Sequence, residues 1–299
     1  MNPRKRLTLT ATASLFAILA NISKGTNDSI QNTPMVAGYG NEVFEIGSII
    51  YASDFSDHAN WIIQIEASEN SPYEEKISYS AGVLDLYMPA KGCTAWLNKK
   101  FTGAITIVYQ VRCPIETING TSIQARDINN FWHCSDPFEF DALLRISGKG
   151  YNGNFSSYHK MRGYYASTGG GGRIGNLTTR FRRYPRRAGD ENIPHIALND
   201  KDANKAYLIT PGIWHTIQLV AYEGLVQYLM DGRVVYEIRY GDDITVESVK
   251  SGKKSTTVKT YQRETFPAYT SGYFGIRMVA SHHQYRDLKI YRLIPHQQY

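Results

Sequence analysis

The chain has 299 residues, three cysteines and a net charge of +6. Arg4, Lys5, Arg6 and Lys24 supply four of those six charges and residues 1–25 hold no acid, so residues 26–299 carry only +2. That balance excludes a globally basic nucleic-acid-binding protein, and the length suits one large β-sandwich.

The first 25 residues read as a secretory signal peptide: a basic start, an apolar, alanine-rich run over 7–20, then small or polar residues. The apolar run is short for a membrane span, and no later segment is apolar enough to cross a bilayer. The expected product is exported, periplasmic or extracellular. In that setting one pair among Cys93, Cys113 and Cys134 can form a disulfide and leave a thiol over, or all three can be buried thiols. Their spacing matches no zinc motif.

Residues 26–42 are polar and turn-rich and read as an extended lead-in. A first strand is predicted over 43–51, followed by YASDFSDHANW, a turn with Trp61 as core anchor. Residues 82–88 alternate, with Val83, Asp85 and Tyr87 on one face and Leu84, Leu86 and Met88 on the other, the period of a half-buried strand. Residues 101–113 repeat the habit until Pro114 ends it. Residues 124–137 read as polar and irregular apart from Phe131 and Trp132.

The stretch YHKMRGYYASTGGGGRIGNLTTRFRRYPRR, residues 158–187, packs four tyrosines, a histidine, four consecutive glycines and eight basic residues together. Strands flanking the glycine run can hold Tyr164, Tyr165, Arg180, Arg182 and Arg183 around one concave surface, which suits a negatively charged sugar polymer. Strand alternation puts Arg180 and Arg182 on one face and Phe181 and Arg183 on the other. Gly169 to Gly172 are not a phosphate loop, since no GK[ST] follows; they suit close backbone approach.

Strands are predicted over 214–222, 225–230 and 233–240. Asp231-Gly232 between two apolar-rich runs is a hairpin signal. Residues 241–265, charged and Ser/Thr/Lys-rich, read as a mobile excursion. Two closing strands are predicted, over 272–279 and 285–293. No long amphipathic helix and no fixed-period repeat is evident. Many short strands between turns argue an all-β sandwich.

The elements DFSD…NW, FW…DP, GG…TTRFRRY, W…I.LVA..G.VQYL.DG..V and GYFGIR…SH…R.LKIYRL resemble the concanavalin A-like jelly-roll superfamily. More narrowly they are similar to DUF6250, exported proteins found with bacterial polysaccharide-degrading systems. TTRFRRY, residues 178–184, is the most specific part. The resemblance implies that residues 26–299 form one jelly roll of two antiparallel sheets with a sugar cleft on the concave one. Calcium is a structural ion in that superfamily, but no ligand set for it stands out here, and the cofactor is left open.

Three functions fit this fold. A polysaccharide lyase must neutralise a uronate carboxylate, take the neighbouring proton and protonate the leaving oxygen. Arginine suits the first task; histidine and tyrosine suit the others. Arg180 and Arg182 are the candidate uronate holders, with His159 or His282 as base and Tyr164 or Tyr165 as acid. Trp132, Tyr158, Arg162, Arg183 and Tyr184 are further candidate substrate contacts. Each also has a structural reading, as an edge-strand charge, a core aromatic or a hydrogen-bonded histidine. A hydrolase needs paired carboxylates. Glu139 and Asp141 fit two places of an E-x-D-x-E pattern, but Leu143 stands at the third. A non-catalytic carbohydrate-binding module needs neither set. The expectation is a lyase acting on an acidic polysaccharide, recognised by a tyrosine, a histidine and an arginine converging on one sugar ring.

Overall fold

The computed structural model describes residues 34–296 apart from 57, 68–72, 119–120, 146–149, 173–174 and 201–206. The expected signal segment, residues 1–25, lies outside the described residues.

The strands used below are β1 (Phe44–Ser53), β2 (Trp61–Ile65), β3 (Lys76–Ser80), β4 (Val83–Leu97), β5 (Ile105–Arg112), β6 (Ile128–Ser135), β7 (Arg162–Gly170), β8 (Thr178–Tyr184), β9 (His195–Asp200), β10 (His215–Tyr222), β11 (Leu225–Met230), β12 (Arg233–Ile238), β13 (Asp243–Lys250), β14 (Lys253–Thr260) and β15 (Ser271–Pro295). Their pairings are antiparallel and build two layers. The first runs β12-β11-β10-β5-β15-β1. The second runs β2-β4-β15-β6-β7-β8-β9-β13-β14, with β3 on the early half of β4.

β15 belongs to both layers. Its early half pairs with β6 and β4, and its late half with β5 and β1. The register slips between Val279 and Ser281, and Ala280 between them has φ 46°. One bulged strand therefore replaces the two closing strands predicted from the sequence; a bulge re-aims a strand without ending it.

The layers face each other across a core of alternate side chains, among them Leu84, Leu86, Ile107, Trp132, Tyr164, Phe181, Leu219 and Ile276. Polar atoms caught there bond across the gap. Tyr109 donates its hydroxyl to Asn130 Oδ1, and the hydroxyls of Thr168 and Tyr228 meet at 2.8 Å. The Asp231-Gly232 turn closes the β11–β12 hairpin with φ 51° and 74°, the left-handed pair such a tight turn requires. The Asp231 carboxylate also accepts the Thr216 N–H at 2.8 Å.

Two loops expected from composition are strands. Residues 128–135 are buried throughout as β6, because their polar members Asn129, Asn130 and His133 sit between neighbouring strands. Residues 243–260 form the β13–β14 hairpin at the sheet edge. Every residue of β14 is exposed, and its lysines are what protects an open edge from further pairing. The lead-in includes a short helical turn, Gly40–Val43, within its described part. Cys93, Cys113 and Cys134 are free and buried, and Trp61 is a core residue.

Candidate functional site

The site is read most directly from ladder registers. The hairpin β7–β8 pairs Tyr165 with Arg182 and Ser167 with Arg180. β6 sets Asn129 beside Ser167 and Phe131 beside Tyr165, and β15 sets Arg277 beside Asn129. Side chains on one rung share a face. The outer face of the second sheet therefore carries Arg277, Asn129, Ser167 and Arg180 on one rung, and Phe131, Tyr165 and Arg182 on a neighbouring one. Alternation sends Tyr164, Phe181 and Arg183 the other way.

Part of this face is roofed by residues 136–145 and 150–161, which contain two 3-10 helices, Phe140–Leu144 and Phe155–Lys160. Beneath the roof lies a second apolar cluster with Trp96, Phe131, Tyr151, Tyr158 and Tyr165. Tyr158 is its pin. Its hydroxyl donates to Gln64 Oε1 at 2.7 Å and accepts the Gly153 N–H at 2.9 Å. Gly153 has φ 87°, and a Cβ there would lie 2.4 Å from the Glu66 backbone nitrogen, so only glycine brings the roof this close to β2.

Where the roof stops, a cleft of about 280 Å³ opens over the rung. Arg180 lies at its lip, half-buried, and forms no hydrogen bond or ion pair among the described residues. Arg277, 3% exposed, donates to the Gly153 carbonyl at 3.3 Å and lies over the Phe155 ring, while its Nε has no partner. Between them Tyr165 donates its hydroxyl to Asn129 Oδ1 at 2.8 Å. Burial, with Tyr184 beside it, pushes the Tyr165 phenol up to about 12, so the group keeps its proton at neutral pH.

Two carboxylates reach the cleft. Glu66 accepts the Asn154 amide at 2.5 Å and the Gly92 N–H at 3.1 Å, one on each oxygen. Asp127 pairs with Arg126 through Oδ2 at 2.8 Å. The backbone of Gly170, Gly171 and Gly172 forms part of the wall, which gives the glycine run its place.

The other residues named from the sequence lie elsewhere. Trp132 and Tyr164 face the core between the sheets, their rings 5.5 Å apart. Arg183 donates to the Pro267 carbonyl at 2.6 Å and, with Arg162, lines a separate pocket at one end of the sandwich. His282 sits in a third pocket, its two nitrogens each 2.9 Å from the carboxylates of Asp85 and Glu116. His159 and Tyr184 lie beyond Phe155, whose ring contacts both His159 and Tyr165. Glu139 is ion-paired to Arg145 and Asp141 accepts the Tyr273 hydroxyl, so the two acids form no exposed catalytic pair. Asp136 is a turn residue, accepting the Phe138 and Glu139 N–H groups. Among the described residues no group of three or more His, Cys, Asp or Glu side chains could hold a metal ion.

The sequence reading missed Arg277, Asn129, Asn154 and Asp127. Arg277 stands in GYFGIR, where the alternation from Phe274 to Met278 marks a strand and a charged residue facing away from the core was the available signal.

The family described as "Domain of unknown function (DUF6250)" matches residues 88–260. No curated protein matches the chain. Among solved structures, a Bacillus subtilis protein of unknown function with a galectin-like fold is 15% identical, covering 85% of this chain and 100% of its own at a TM-score of 0.55. The carbohydrate binding module CBM66 from Bacillus subtilis is 10% identical, covering 78% and 95% at 0.41. LamAcat from Zobellia galactanivorans is 10% identical, covering 82% and 98% at 0.45. The fold is a concanavalin A-like jelly roll.

Proposed function

The chain belongs to the DUF6250 family, and from that premise we propose that it is an exported carbohydrate-active protein that takes an acidic polysaccharide in the Arg180–Arg277 cleft and cuts it by β-elimination. The observation that carries this reading is the lining of the cleft. Two guanidinium groups flank an amide and a protonated phenol in an open cleft, and both carboxylates there already have partners.

The chemistry divides as follows. Arg180 and Arg277 meet the uronate carboxylate and its neighbour along the polymer, withdrawing charge so that the adjacent C–H proton becomes removable. Asp127, bonded to Arg126 through only one oxygen, is the base that takes it. The electron pair forms the carbon–carbon double bond and expels the glycosidic oxygen. Tyr165 gives that oxygen its proton. His159 lies beyond Phe155, outside the cleft lining, and does not serve as this base.

A second reading, a non-catalytic sugar-binding protein, is favoured by one observation: Tyr165 is only 3% exposed and its hydroxyl is engaged with Asn129. Electrophoresis through a gel containing a uronic-acid polymer tests what the readings share. The wild-type protein is retarded, Arg180→Ala is not, and a neutral glucan retards neither. Retardation equal in both proteins removes the cleft as the binding site.

A further inference from the structure

Beyond Phe155 the same face of the sheet carries a second group of polar side chains, and it is built differently. The rung after Tyr165 and Arg182 sets Gly163 beside Tyr184, and His195 beside Glu247 on the neighbouring strands. The Tyr184 and His159 rings lie 6.0 Å apart. The chain then turns at Pro185, and the Arg186 N–H donates to the His159 carbonyl at 2.9 Å. Arg182, Arg186 and Arg187 thus gather around Tyr184, with His159 from the roof and His195 from β9.

The hydrogen-bond inventory is one-sided. Arg182 Nε and one of its terminal nitrogens, Arg186 Nε, Arg187 Nε, both His159 nitrogens, His195 Nε2 and the Tyr184 hydroxyl are buried and have no hydrogen-bond partner among the described residues. Arg182 is 8% exposed, His159 7% and His195 4%. Buried donors, charged ones above all, are ordinarily satisfied. The neighbouring carboxylate, Glu247, is on Lys254 at 2.5 Å. Electrostatics agree with the geometry: burial and the arginines hold His159 down to about 3, and burial holds His195 to about 4.

We infer that Arg182, Arg186, Arg187, Tyr184 and His159 form a receptor for a tetrahedral oxyanion, a sulfate or phosphate group, distinct from the sugar cleft. A carboxylate offers two oxygens in one plane. Here the donors come from β8, from the turn after it and from the roof above, in number better matched to three terminal oxygens on a tetrahedral centre. Arginine forks suit that geometry. The inference stands on its own donors and does not depend on the cleft being a site of cleavage. The group can arrive as an ester on a sugar chain or as the free ion.

The test is calorimetric titration of the full chain with sodium sulfate, against sodium chloride and sodium acetate at matched ionic strength. Sulfate gives a saturable isotherm and the other salts do not. The double variant Arg186→Gln/Arg187→Gln, at two half-buried positions, weakens sulfate at least tenfold while retaining cooperative unfolding. Should that variant fail to fold, Arg187→Gln alone carries the test, with a loss of at least threefold. Competition then identifies the source. Displacement of sulfate by a sulfated oligosaccharide, and not by its desulfated form, supports a receptor for an ester; displacement by neither supports one for the free ion. An absent isotherm, equal affinity for acetate, or an isotherm unchanged in the folded variant overturns the inference. Failure of the cleft to cut polyuronates leaves it untouched.

Discussion

Arg277 and Arg180 lie on one rung of the second sheet with only Asn129 and Ser167 between them. Three strand spacings separate their backbones by about 14 Å, so the pair spans more than one sugar residue. Arg180 is the cleaner probe because it is half-buried and holds nothing else in place. Arg180→Ala is expected to weaken binding of a uronic-acid polymer ten- to a hundredfold, roughly the ~1.5–3 kcal/mol of a charged hydrogen bond, without moving the melting temperature. Affinity electrophoresis and a thermal melt check both halves.

Tyr165→Phe separates structure from chemistry. The ring still packs against Phe131, Phe155 and Tyr184, so the fold is retained. The proton donor is gone, and turnover falls at least ~10²-fold with little change in polymer affinity. Steady-state kinetics beside a binding isotherm reads this; a parallel loss of binding and turnover would make Tyr165 a contact only.

Tyr158 belongs to the scaffold. Tyr158→Phe leaves the Gly153 N–H without the hydroxyl it now bonds, beneath a buried roof. The expected cost is about 1–3 kcal/mol, read as a lower denaturant midpoint at unchanged slope. Because Gly153 holds the roof beside Glu66, the same change should weaken sugar binding.

Acid should destabilise the protein early. His283 is fully buried and bonded to the Arg126 carbonyl and the Tyr285 hydroxyl; burial holds it down to about 3, and His133 to about 4. The folded state therefore stays neutral at these sites while the unfolded chain takes up protons below about 6.5. Stability is full above that value and falls as pH drops toward the folded values. Each of these two histidines removes about 2 kcal/mol by pH 5. Urea midpoints at pH 7 and pH 5 measure the loss, and His283→Gln flattens the profile.

Much of the fold was legible because alternation in 82–88, 214–222 and 225–230 and the Asp231-Gly232 turn are local signals, and the structure places strands at the first three and the hairpin turn at the last. β6 was not legible. Its polar members Asn129 and Asn130 are satisfied by neighbours distant in sequence, Tyr165 and Tyr109. The β13–β14 hairpin was hidden for the opposite reason: an exposed edge strand keeps a loop's composition. In the site, Tyr165 and Arg180 were visible together because one hairpin carries them, whereas Arg182, expected beside Arg180 as a uronate holder, lies on the neighbouring rung outside the cleft lining. Arg277 and Asn129 join them only through the order of strands, which no local pattern encodes. Trp132, Tyr164 and Arg183 share the same stretches of sequence but alternate to the other face or the sheet's end.

The central claim is that the cleft performs β-elimination on an acidic polysaccharide. It is tested most directly by mixing the protein with a panel of uronic-acid polysaccharides and following the ultraviolet absorbance of the conjugated double bond that elimination creates. The account predicts a steady rise with at least one polymer, lost in Arg180→Ala and in Tyr165→Phe. New reducing ends without absorbance would contradict it in favour of hydrolysis, and binding with neither signal would leave a sugar-binding protein.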